Sequence, residues 1–82
     1  MDDNRIAQIG IMVEDPSIVG ELNALLHAYA PYILGRMGIP CRDRGVSVIS
    51  LIVDAPQNII SALSGKLGML NHVTAKTLYS KK

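Results

Sequence analysis

Two stretches, "IMVEDPSIVGELNALL" (residues 11–26) and "LIVDAPQNIISALSGKLG" (residues 51–68), decide how this chain is read. Each opens with an apolar run and passes an acid and then a proline, as Val13-Glu14-x-Pro16 and Val53-Asp54-x-Pro56. Each then continues with apolar residues at helical spacing. Such an echo marks a strand leaving into a crossover helix, twice. The second stretch also holds Ser64-Gly65-Lys66, a fragment of a phosphate loop. That loop needs Gly-x4-Gly-Lys-Ser/Thr between a strand and the start of a helix. Here Ile60 stands five before Gly65, Leu67 follows the lysine, and the segment falls at a helix end, whose dipole repels phosphate. The repeat is therefore the informative echo, and it is structural.

Outward from the repeat, Arg5 to Val13 alternates as a first strand. Asp15 is suited to cap a helix and Pro16 to its first turn. Ile18, Val19, Leu22, Leu25, Leu26 and Tyr29 then form one stripe, which Pro31 terminates. Tyr32 to Cys41 reads as a second strand. Its Gly35, Gly38 and Pro40 suit an edge or bulged position. Arg42 to Gly45 makes a hairpin connection, and Val46 to Val53 is a third strand, apolar on both faces. A second helix opens at Pro56 or Asn58 and buries Ile59, Ile60, Leu63, Leu67 and Leu70, with Gly68 expected as its C-cap. Val73 to Tyr79 is the last strand. The order βαββαβ predicts a ferredoxin-like sandwich, an antiparallel four-stranded sheet with both helices on one face. One domain spans 1–82, with flexible ends expected over 1–4 and 80–82.

Composition sharpens this picture. The chain is 49% hydrophobic without Phe or Trp, so its core is aliphatic. Only 18% of residues are charged, below the roughly 25% of an average soluble domain. A small apolar domain of this kind hides surface against a partner. Val46, Val48, Ile49, Leu51 and Val53 are the expected interface of a homo-oligomer, a dimer or a tetramer. Small residues on the outer helix sides (Gly20, Ala24, Ala28, Ser61, Ala62, Ser64, Gly65) leave room for a close neighbour. The net charge of +1 offers no general attraction to nucleic acid or to an acidic membrane. A lone Cys41, an acidic first segment and the lack of a ~20-residue apolar run point to the cytoplasm.

Catalytic chemistry finds little support. His27, Cys41 and His72 are not spaced as metal ligands, so no metal and no cofactor is expected. Arg36, Arg42 and Arg44 offer either an anion site or a solvated edge that resists aggregation, and the solvated edge is preferred. Glu14, Asp15 and Asp54 read as caps, and no nucleophile, base and oxyanion donor come together. Aromatic residues for base stacking are missing from the first and third strands. A CxxC in the first loop and an arginine-bearing glycine loop, which would mark a copper carrier or an acyl phosphatase, are missing too. A catalytic set is not expected, and the chain reads as non-enzymatic. The rival expectation is a small dimeric enzyme with a cavity between helices and sheet, or a pure protein-interaction scaffold.

The stretches "LLHAYAPYILGRMGIP" (Leu25 to Pro40), "GVSVISLIVDA" (Gly45 to Ala55) and "ALSGKLG" (Ala62 to Gly68) resemble the iron-only hydrogenase system regulator family. Its members are small domains related to ACT domains and to the C-terminal part of nickel-responsive regulators. The resemblance covers almost the whole chain. It implies an ACT-like fold, oligomerisation and an association with the iron-only hydrogenase system. Two features depart from it: His72 stands where the family has glycine, and the histidine and cysteine set of nickel sensors cannot be matched. By analogy with ACT-like domains, a small effector is expected at the first strand-to-helix loop, at Asp15, Pro16, Ser17 and Ile18. Backbone N–H groups there would receive a carboxylate. A protein partner is the other expected contact, and regulation of transcription would have to pass through one.

Overall fold

Strand alternation sets the architecture. In β1 (Asn4–Val13), Ala7, Ile9, Ile11 and Val13 are buried, while Ile6, Gln8, Gly10 and Met12 face the other way. In β3 (Val46–Pro56), Ile49, Leu51, Val53 and Ala55 take the buried side. The computed structural model describes residues 3–82; part of the end expected over 1–4 lies outside the described residues. Between these strands run α1 (Val19–Ala28), entered through a 3-10 turn at Pro16–Ile18, and β2 (Ile33–Cys41). After β3 come α2 (Gln57–Met69) and β4 (Val73–Tyr79). The sheet is antiparallel in the order β2-β3-β1-β4, the ferredoxin-like βαββαβ arrangement.

Both helices lie on one face and close the core there. Leu22 and Leu26 of α1 and Ile60, Leu63 and Leu67 of α2 join the buried strand residues in a single aliphatic cluster. Each such side chain contributes about 1.5–3 kcal/mol on leaving water. Lys66 Nζ sits 5.3 Å from the centre of the Tyr29 ring, a cation–π contact that ties the end of α2 to the end of α1. Every described buried side-chain polar atom has a partner.

Three local details differ from the expectation. β3 does not stop at Val53; Asp54, Ala55 and Pro56 extend it because β1 reaches back to pair with them, Asn4 opposite Pro56. Gly68 is not the C-cap of α2. The helix runs through Met69, and the left-handed residue needed before β4 is His72, at φ 62. Finally, β2 is both an edge strand and bulged, as its glycines suggest. Ile33 pairs with Val53 and Gly35 with Ile52, so Leu34 is the extra residue.

The five residues expected at an interface divide between the faces. Ile49, Leu51 and Val53 are 6%, 0% and 1% exposed because the chain's own helices cover them, which removes them from any outer surface. Val46 and Val48 lie on the opposite, helix-free face with Ser50 and Ile52. One residue of parity decides which set is core.

Candidate functional site

β1 ends and the chain turns toward α1 beside the hairpin that joins β2 to β3. Two hollows share that end of the domain. The first, about 280 Å³, lies between the Pro16 turn and the hairpin and is bounded by Val13, Pro16, Pro40, Cys41, Arg42 and Ser47. The second, about 240 Å³, runs on between α1 and β2 past Leu22, Asn23, Arg36, Gly38 and Ile49. Val13, Pro40 and Ser47 border both, so the two form one trough.

Of the four residues expected to hold an effector, only Pro16 lines this trough. Asp15 caps the turn instead: the Ser17 N–H donates to its Oδ1 at 2.9 Å. The Ile18 N–H donates to the Asp15 carbonyl, and the Val19 N–H to that of Pro16. The Ser17 and Ile18 amides that were to receive a carboxylate are therefore already engaged. Ile18 itself is 8% exposed and belongs to the core. Hydrogen bonding from Ser17, from the backbone first and then its side chain, holds the Asp15 carboxyl below the ordinary aspartate range, with His72 adding a smaller push.

Sequence reasoning weighed Arg36 only together with Arg42 and Arg44, and preferred a solvated edge to an anion site. Paired with Leu51, it lies on the helix-covered side of the sheet, where its Nη2 donates to Asn23 Oδ1 of α1 at 3.3 Å. Arg42 and Arg44 sit apart from it in the 3-10 turn at the hairpin tip. The missed signal was the bulge: with Leu34 looped out, Ile33 and Arg36 fall on the same face, although their spacing alone puts them on opposite ones. Beyond Arg36, a third hollow of about 350 Å³ continues along α1 past His27 and Ala30.

Among the described residues, no three of the histidine, cysteine and acidic side chains gather closely enough to hold a metal ion. Cys41 is a half-buried free thiol in the trough wall. No helix in the described residues is long and apolar enough to cross a membrane.

Comparison with known proteins places this geometry. No curated protein matches the chain significantly. The solved structure of the uncharacterized protein TM1266 from Thermotoga maritima is 37% identical, with a TM-score of 0.92 over 95% of this chain and 99% of that one. Residues 5–77 match the model of the TM1266-like family, described as "Iron-only hydrogenase system regulator, putative". The match takes in both helices and reaches every strand, so the chain belongs to the TM1266-like iron-only hydrogenase system regulator family.

Proposed function

We propose that this chain is a non-enzymatic, ACT-like regulatory module that works as a homo-oligomer and responds to a small effector, in association with the iron-only hydrogenase system. The observation that carries the reading is the bare side of the sheet. Met12, Val48, Ile39 and Met37 stand there 46%, 37%, 60% and 65% exposed, with no helix over them. Ile39, Val48 and Met12 are neighbours in one row across β2, β3 and β1. Ile6, Ile52 and Leu78 extend the apolar surface toward the far end.

Two polar groups within this face pair with one another. Gln8 Nε2 donates to Ser50 Oγ at 2.8 Å, a cross-strand bond near the middle of the sheet. A second copy related by a two-fold axis would cover the apolar row with the same row, the usual self-complementary arrangement. The family's description as a regulator supports the non-catalytic part of the reading.

Light scattering on the purified chain tests it, with Val48→Lys as the comparison. The expected result is an assembly of two or four copies that falls to the monomer in Val48→Lys, with the circular dichroism unchanged. A wild-type chain that stays monomeric at high micromolar concentration would overturn the oligomeric part and leave the face for a different protein.

A further inference from the structure

The hollow between α1 and β2 combines features that a plain surface groove lacks. Val13, Val19, Leu22 and Ile49 give it an aliphatic side, with Asn23, Arg36 and Ser47 as its polar lining. At one end stands a single cation, Arg36, and none of the residues lining the hollow is acidic. Arg36 makes no ion pair with a carboxylate among the described residues; its Nη2 donates only to the neutral Asn23. That bond uses one of five guanidinium donors, and it orients Asn23 so that its own amide NH₂ remains a donor. An arginine fixed by a neutral neighbour at the end of an apolar slot is built for a planar anion.

The opening depends on one missing side chain. Gly38 faces the same side as Arg36's neighbour row, opposite Ile49, and a Cβ placed there would meet Ile49 Cγ1 at an ordinary 3.7 Å. Neither steric crowding nor a left-handed backbone requires glycine at this position. The space it leaves is part of the groove. At about 240 Å³ this stretch of the trough is smaller than the roughly 300–1,000 Å³ of drug-sized pockets and suits a short chain.

We infer that the α1–β2 groove binds a short aliphatic carboxylate, with Arg36 and Asn23 taking the carboxylate oxygens and Val19, Leu22 and Ile49 taking the hydrocarbon chain. A free amino acid fits less well, since no acid in the groove would receive its ammonium group. This deepens the effector-responsive reading above and rests on it. The site is nevertheless contained in one chain, so its test does not require the oligomer.

The probe is isovalerate, with isovaleramide as the uncharged control, followed by amide chemical shifts in a two-dimensional NMR titration. Isovalerate should shift Asn23, Arg36, Gly38 and Ser47 in a saturable way, and isovaleramide should bind at least about tenfold more weakly, as loss of a charged hydrogen-bond pair implies. Arg36→Met should weaken isovalerate by a similar factor. Gly38→Val, a substitution favourable to a strand, should abolish binding by filling the slot. No saturable shift, equal binding of the amide, or undiminished binding in Gly38→Val would each overturn the inference. If Gly38→Val does not fold, Arg36→Met decides, because its solvent-exposed side chain is not part of the core. Light scattering on the same samples separates this outcome from the fate of the oligomer.

Discussion

The imidazole Nε2 of His72 lies 3.9 Å from Oδ2 of Asp15, and the Glu14 N–H donates to the His72 carbonyl at 2.8 Å. The loop entering β4 is thereby fastened to the exit of β1, at the turn that positions the trough. His72 meets this role in a left-handed conformation, φ 62, where a side chain crowds the following carbonyl.

His72→Gly should therefore stabilise the domain. Relief of the left-handed conformation contributes about 1–2 kcal/mol, and the looser unfolded chain takes back about 0.4–1 kcal/mol. The exposed contact with Asp15 adds little. A rise in Tm of a few degrees is expected in thermal unfolding, and an unchanged or lower Tm would show that the imidazole contributes more than its geometry suggests.

Gly45→Ala should do the reverse. Gly45 closes the hairpin at φ 67 with open space around it, so the cost is backbone strain and not a clash. About 1 kcal/mol of stability should be lost, readable as a shifted urea midpoint with an unchanged slope.

Asp15 gives the acid limit a specific contributor. Its carboxyl is held below the ordinary aspartate range in the folded chain, chiefly by the Ser17 hydrogen bonds. A lowered aspartate adds stability that is fully present above its unfolded pKa and fades as pH falls through the folded value. Carbon-detected NMR titration should find its midpoint below that of an ordinary aspartate. Asp15→Ala should lower Tm at neutral pH, and its difference from wild type should narrow in strong acid.

The two faces of β3 should answer mutation differently. Leu51→Ala, at a fully buried site, is expected to cost 2–5 kcal/mol whatever the concentration. Val48→Ala, three residues back on the bare face, should cost little in a dilute monomer and more as concentration rises, since a covered face links folding to association. Concentration-independent behaviour of Val48→Ala would argue against self-association through this surface.

Much of the fold was legible because its signals are local. The alternation in β1, the stripe of Leu22 and Leu26 and the proline after each strand exit all depend on near neighbours. The end of β3 was not legible, since Asp54 to Pro56 become strand only when β1 reaches across to pair with them. Nor was the end of α2: Gly68 looked like a stop, yet the helix carries on through it and the chain turns at His72. The candidate effector residues met the same limit. Asp15 was rightly a cap, and that very role occupies the Ser17 amide that a ligand would need.

The sequence by itself determined the βαββαβ order, the aliphatic core and the family, because hydrophobic period and turn chemistry are written residue by residue. Tertiary structure alone decided which side of each strand became core and which stayed bare. It put Ile49, Leu51 and Val53 in the core and left Val46 and Val48 on the bare side, and it set the exposed Arg36 beside a groove. The reason is pairing register: one extra residue at Leu34 reverses the parity of β2, and a bulge is fixed by the partner strand and not by the residues that form it.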